Sequence, residues 1–487
     1  MQYFIQATFS KARALVTRRS VFGFAVLLGL SGCQMIKPAP KPQIAIGQQI
    51  SSPSQYGLDM KDWETQDWKI AQPSAHLPKG EWWQIFQDAQ LNQLLTQLNQ
   101  GNATIAQYEA QYRQALSMID QAKAARLPSV AANTSMTRGK AQQAGTLLTT
   151  NQYDLSSMAS WEPDLWGKIR QNILVNQSQA KASEAELNNM RLSMQAQLVS
   201  RYLQWVLQNF ELQSEKENID NLKRVLSMTQ NQYQAGIVAS TTVDQAQSQY
   251  HTALASYSDL QLSQIQLQHA IAMLIGQPQD QFQLKALTQL PTLPQLPANI
   301  PSRVLQQRPD VAAAAENMAA ANAQVGVARL AFFPDFNLVG SIGYQSSLWR
   351  QLFNAPNLIW SLGPSLAATL FDGGRRHAQT EQAKAAYDAS AAAYKQTVLA
   401  AIQNVEDNIA AQYLLSREAK QQQAALDAAI RAEKTTMNQY KAGIVAYLNV
   451  LTAQNTRISA QNAVWTIRNR QYQTTVSLVT AMGGKWD

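Results

Sequence analysis

Hydrophobic and polar positions along this chain follow two rhythms. From Thr241 to Ile275, the residues Val243, Ala246, Tyr250, Ala253, Tyr257, Leu260, Leu267, Ile271 and Leu274 step by three and four, with Gln264 the only polar break. That 3.5-residue period predicts a coiled-coil helix. From Tyr447 to Met482 two seams run side by side, Leu451, Ile458, Trp465, Tyr472 and Val479 next to Val450, Ala453, Ala460, Val464 and Ile467. Two seams predict two partners, and so a sheet or tube of helices rather than a simple pair. Two longer stretches, Trp166–Ala235 and Gly373–Ala442, contain no proline. Each predicts a helix of roughly 105 Å at 1.5 Å per residue. A globular core does not hold such a helix, so these too read as coiled coil or the wall of something extended. Shorter helices are expected over Asn102–Leu127 and Pro309–Ala331, ended by Pro128 and Pro334.

Between the helices the period changes to two. Tyr153, Leu155, Ala159 and Trp161 alternate with Gln152, Asp154, Ser156 and Ser160. Phe336, Leu338, Ile342 and Tyr344 alternate with Asn337, Ser341 and Gln345, and Leu358, Trp360, Leu362, Leu366 and Leu370 with Ser361, Ser365 and Thr369. A weaker alternation runs from Val130 to Arg138. Strands are therefore expected at about 129–139, 150–163, 334–345 and 358–371. Segments of about ten residues, apolar on one side with aromatics near their ends, suit outer-membrane strands. A small soluble sandwich with one wet face is the alternative. Four strands do not close a barrel, and an open edge in lipid is excluded, so the membrane reading requires more than one chain.

The two halves repeat. Asn231-Gln232-Tyr233-Gln234-Ala235-Gly236-Ile237-Val238-Ala239 recurs as Asn438-Gln439-Tyr440-Lys441-Ala442-Gly443-Ile444-Val445-Ala446, an offset of 207. A period that long is a duplicated domain rather than a solenoid. The expected organisation is a first repeat over 84–278, a linker over 279–302 and a second repeat over 303–485.

The amino terminus adds a destination. Residues 1–32 carry Lys11, Arg13, Arg18 and Arg19, then an apolar run from Val21 to Leu30, too short to span a bilayer. Leu30-Ser31-Gly32-Cys33 looks like a bacterial lipobox, and Cys33 is the only cysteine of the 487 residues. Cys33 is thus the expected lipid acceptor, with residues 33–83 a tether and linker segment. Gln34 follows rather than Asp, which by resemblance to lipoprotein sorting favours the outer membrane. A single cysteine excludes disulfides and cysteine-based zinc sites. Charged residues are 15% of the chain, and its net charge of +8 falls to +4 once the leader is removed. No basic stripe of the kind nucleic acid requires remains. No phosphate-binding loop, nucleophile elbow or zinc motif is visible, so neither an enzyme nor a cofactor beyond the lipid is expected.

Several stretches together resemble the TolC family of outer-membrane exit ducts, in particular its OprM-like lipoproteins. They are Trp82-Trp83-Gln84-Ile85-Phe86-Gln87-Asp88, Asp164-Leu165-Trp166-Gly167-Lys168-Ile169-Arg170, Arg308-Pro309-Asp310-Val311, Ala328-Arg329-Leu330-Ala331-Phe332-Phe333-Pro334 and Leu370-Phe371-Asp372-Gly373-Gly374-Arg375, with the lipobox and both glycine turns. The resemblance implies a mainly α protein with a membrane β-barrel. In it a homotrimer completes twelve strands, long helices form a periplasmic tunnel, and residues 55–98 and 277–307 contribute an equatorial belt. It also implies a passive drug-efflux duct coupled through a periplasmic adaptor to an inner-membrane RND pump. A duct for secreted proteins shares that fold, and a coiled-coil scaffold without a pore is a third reading.

The resemblance points to two sets of site residues. The tips Gly236, Ile237, Val238 and Ala239, with Gly443, Ile444, Val445 and Ala446, are the expected adaptor contacts. The expected aperture is Thr242, Asn449 and Thr452, neutral residues where family members carry acids, with Tyr440, which matches a family residue that holds the entrance shut by hydrogen bonding. Thr241 and Asp244 read as a capping pair that the second turn lacks, which makes the second hairpin the expected mobile one.

Overall fold

A computed structural model describes residues 81–143, 146–294 and 308–484. Cys33, the leader, nearly all of the tether and residues 295–307 lie outside the described residues. The chain divides into two units. One contains residues 115–180 and 316–392, and the other most of the remainder.

The first unit is built on four strands, β1 (Ser129–Gln143), β2 (Thr146–Trp161), β3 (Asp335–Ser346) and β4 (Leu358–Ala367). They form one antiparallel sheet in the order β1-β2-β3-β4. Residues directly opposite one another share a face. Val130 lies opposite Ala159, Met136 opposite Tyr153, Leu155 opposite Tyr344 and Trp161 opposite Leu338. Ile342 lies opposite Trp360, and Phe336 opposite Leu366. The register therefore gathers the apolar set of all four strands onto one side. The other side pairs Asn133 with Ser156, Ser135 with Asp154 and Ser341 with Ser361, whose hydroxyls are 2.7 Å apart. Trp360, Leu362 and Leu366 stay 73%, 69% and 65% exposed, so nothing within the chain covers this apolar face. Aromatic pairs mark its two ends. Tyr153 meets Trp349 and Tyr344 meets Phe353 at the hairpin end, while Trp166 stacks on Phe333 at 5.1 Å at the helix end. From Tyr153 to Trp161 the strand covers roughly 27 Å, close to the apolar band of a membrane barrel. Among the described residues no helix is long and apolar enough to cross a membrane.

Three strand ends lie about four residues from the expected positions. β4 stops at Ala367 rather than near 371, because β3 begins at Asp335, just after Pro334, and offers no partner beyond the Asp335–Ala367 pair. The Thr369 carbonyl accepts from Arg376 at 2.6 Å instead. β1 and β2 pair as far as Gln143 and Thr146, further than the alternation reached, since that polar stretch keeps its ladder without an apolar face.

The family-like motifs at the sheet are helix starts. The Asp164 carboxylate accepts from the backbone N–H groups of Ile169 and Arg170, both at 2.9 Å, and pairs with the Arg170 side chain. Asp372 repeats this with the N–H groups of Gly374 and Arg376 and with the Arg376 guanidinium at 2.7 Å. Both carboxylates meet the orphan donors of a long helix's first turn. Those helices are α3 (Lys168–Gln234) and α6 (Arg375–Lys441), 67 residues each. The returning helices are α4 (Ser240–Leu274) and α7 (Tyr447–Ala481), 35 residues each. At the offset of 207 these helices coincide residue for residue. The remaining helices are α1 (Ala89–Gly101), α2 (Ala103–Ala124) and α5 (Pro309–Leu330).

In the second unit a core forms around Phe86, Leu91, Leu95, Leu98, Tyr202, Ile271, Val405 and Tyr472. Asp88 caps α1 through the N–H groups of Gln90 and Leu91 and accepts the Tyr202 hydroxyl at 2.6 Å. Gly101 and Gly276 allow a backbone crossing, where a Cβ on Gly276 sits only 2.2 Å from the Gly101 carbonyl oxygen. Arg308, nearly buried, grips Asp310 and donates to the Ala481 carbonyl at 2.9 Å. The α4 seam is buried at Ala246, Ala253, Leu267, Ile271 and Leu274, and its polar break Gln264 donates to Asn209 at 2.6 Å.

An Arg on the lipid-facing side of an outer-membrane strand costs about 2–4 kcal/mol at mid-bilayer. Leu362→Arg is therefore expected to lower folding stability in lipid by that amount, while Ser361→Arg on the opposite face leaves it nearly unchanged. Urea unfolding in bilayers checks the contrast.

Candidate functional site

α3 and α6 end the same way. Gly236 and Gly443 adopt φ of 71° and 72°, the left-handed conformation open to glycine. Gly236 N–H donates to the Tyr233 carbonyl and Ile237 N–H to that of Gln232, at 2.9 and 2.8 Å. Gly443 and Ile444 repeat the pattern onto Tyr440 and Gln439, both at 2.9 Å. Each is a Schellman close, which satisfies the last carbonyls of a long helix. The chain re-enters helix through Ala239 and Ala446, with φ and ψ of −77° and 156° and of −72° and 155°.

That symmetry corrects the expected capping difference. The first residue of α4 is Ser240, so Thr241 lies one place inside the helix and cannot cap it. Neither Ala239 nor Ala446 makes a side-chain cap. The two turns are equally anchored at this position, and capping gives no reason for the second to move alone. Ile237 and Ile444 stand 70% and 71% exposed, beside half-buried Val238 and Val445.

The aperture residues divide into two groups. Asn449 and Thr452 are exposed, and the Thr452 hydroxyl donates back to the Leu448 carbonyl at 3.0 Å. Thr242 is half-buried. Tyr440 is buried and donates its hydroxyl to Gln232 Oε1 at 2.7 Å, joining the ends of α3 and α6. Its ring lies 5.4 Å from Tyr447, in a cluster with Val225, Ala246 and Val450. Burial pushes the Tyr440 phenol upward, and burial with Tyr440 nearby pushes Tyr447 up to about 12. Both are neutral hydroxyls at any physiological pH. Gln232 and Tyr447 escaped the sequence reading. Gln232 stands inside the repeated Asn-Gln-Tyr motif, but its partner belongs to the other repeat and shares no local pattern with it.

Further polar bonds join the two hairpins: Gln249 to Asn455 at 3.1 Å, Arg457 to Asn218 at 2.9 Å and Gln473 to the Ser200 carbonyl at 3.2 Å. Arg457 also pairs with Glu433.

A family model described as outer membrane efflux protein matches residues 94–277 and 300–484, nearly the whole of both repeats. The chain belongs to this family. It is 29% identical over 437 residues to the pyoverdine export outer membrane protein OpmQ of Pseudomonas putida, covering 85% of this chain and 90% of that one. It is 27% identical over 471 residues to the probable efflux pump outer membrane protein TtgC of the same species, covering 94% and 93%. The solved outer-membrane channel OprN superimposes with a TM-score of 0.80 at 27% identity, covering 92% of this chain and 99% of OprN.

Membership settles three expectations. The chain is an outer-membrane efflux duct, its uncovered apolar sheet face is the lipid face, and the soluble-sandwich and protein-secretion readings fall away. One shifted carboxyl on these helices bears on stability near neutral pH. Glu211 on α3 lies in a groove of about 310 Å³ with Glu215, Asn218, Asp259 and Arg457. Burial raises its pKa from 4.5 to about 7. A folded pKa above the unfolded one gives stability that is complete below about pH 4.5 and lost as pH rises through about 7. Glu211→Gln is expected to be more stable than the parent at about pH 8, by at most roughly 3 kcal/mol, and to converge with it near pH 4.5. Thermal unfolding across that range measures the difference.

Proposed function

We propose that three copies of the chain close one barrel of twelve strands and act as the passive exit duct of a tripartite pump for small toxic molecules. One observation carries the reading: a four-stranded sheet with a lipid-facing side has two unpaired edges, β1 and β4, and lipid tolerates neither. The name of a relative 27% identical over 471 residues, the toluene efflux pump outer membrane protein TtgC of Pseudomonas putida, supports the substrate class. Lipid on Cys33 adds an anchor to the barrel. No step in such passage requires a catalytic group or cofactor. The partners are a periplasmic adaptor and an inner-membrane RND pump, met at the two glycine turns. Ile237 and Ile444 support that contact, because they are the large apolar side chains left bare there.

Deleting the gene is expected to raise drug susceptibility, and the parent gene to restore resistance. Carrying Ala239→Asp and Ala446→Asp together, the gene is expected to restore none while the trimer level stays normal. Full resistance from that variant would remove the adaptor contact from these turns.

Asn449, Thr452 and Thr242 belong to the bore at the narrow end in this reading, with the Tyr440–Gln232 bond behind them. A neutral ring attracts divalent cations far less than an acidic one. Purified channels are expected to conduct without block by micromolar divalent cations, and Asn449→Asp with Thr452→Asp to create that block. Planar-bilayer recordings decide, and an unchanged ion selectivity in the double variant would place the constriction elsewhere.

A further inference from the structure

The β1–β2 hairpin outruns the rest of the sheet. Pairing of β2 with β3 ends at Tyr153 and Ser346, whereas β1 and β2 continue for seven more pairs, from Thr137–Gln152 to Gln143–Thr146. Alternation assigns the side chains of this extension. Arg138, opposite Asn151, and Lys140, opposite Thr149, follow Met136 and so stand on the lipid-facing side. They lie just past the Tyr153–Trp349 ring pair at the hairpin end of the apolar band. Arg350 adjoins Trp349 in the β3–β4 connection, and all three cations are exposed.

No carboxylate answers them. Within the four strands and the β3–β4 connection, the acids among the described residues are Asp154 and Asp335. Asp154 stands on the opposite face, bonded by Ser135 and Gln152. Asp335 is at the helix end of the sheet, paired with Lys168 at 3.2 Å. The helices leave from that end, on the periplasmic side, so the hairpin end reaches the outer leaflet. Arg138 and Lys140 stand two and four residues past the Met136–Tyr153 pair, and Arg350 is next in sequence to Trp349, whose ring meets Tyr153. Long basic side chains reach headgroup phosphates while their stems lie on apolar surface.

We propose that Arg138, Lys140 and Arg350 form a recognition surface for the phosphorylated glycolipid of the outer leaflet, a lipid A headgroup. Free phosphate lacks the acyl chains that the apolar face and the Tyr153–Trp349 pair cover, so it is a poor substitute.

The test uses the purified full-length chain in detergent and reads the melting temperature of its oligomer. Diphosphorylated lipid A is expected to raise it, and added salt to reduce the rise. The triple variant Arg138→Gln, Lys140→Gln, Arg350→Gln is expected to melt at the parent temperature without lipid and to lose most of the rise with it. Dephosphorylated lipid A and inorganic phosphate are expected to produce little. An equal rise with the dephosphorylated lipid, an equal rise with phosphate alone, or a full rise in the triple variant would overturn the proposal. Should the triple variant not assemble, Lys140→Gln alone gives the same reading: a diminished rise supports the surface and an undiminished one refutes it.

Discussion

Inside a bilayer, a backbone N–H or C=O without a partner costs several kcal/mol. That cost governs the design of this chain. Its sheet satisfies every internal ladder, from β1 to β4, and leaves two edges that only other chains can complete. The register must hold at the same time, because a slip of one residue along any strand sends Trp360 and Leu362 to the polar side. Gly343 helps to hold it. A Cβ there sits 2.5 Å from the Leu155 carbonyl oxygen, so β2 and β3 approach at a distance that no other residue permits.

The helical hairpins solve a different problem with different chemistry. Within a hairpin, small apolar residues on a heptad seam make the contact, as Ala460 does with Leu426 and Ala429. Between the two hairpins, the apolar cluster of Val225, Ala246, Tyr440, Tyr447 and Val450 is joined by polar bonds, through Tyr440–Gln232, Gln249–Asn455, Arg457–Asn218 and Gln473–Ser200. Of these bonds Gln249–Asn455 is exposed and the other three are partly buried. These directional bonds fix the register of one hairpin against the other. The Tyr447 hydroxyl is buried beside the Tyr440–Gln232 bond and has no hydrogen-bond partner among the described residues.

Much of this was written in local pattern. The seam from Val243 to Leu274, the alternation from Phe336 to Tyr344 and the repeat at 207 residues are statements about neighbours along one element. A helix or strand is made by such neighbours, so the helices, the four strands and the need for partner chains were legible before any coordinates. The motif Asp164 to Arg170 was legible as a family mark, but not as a carboxylate closing the first turn of α3.

What the tertiary structure alone decided lies between elements distant in sequence. Tyr440 found Gln232 across 208 residues, and Arg457 found Asn218 across 239. The equal capping of the two turns overrode Thr241 and Asp244, because a cap depends on where the helix begins, and it begins at Ser240 with Ala239 before it. β4 ended at Ala367 because its neighbour ran out, although its own alternation went on to Leu370. Sequence determines what one element prefers to be. Partner, register and end point depend on which second surface arrives, and that is a property of the folded chain.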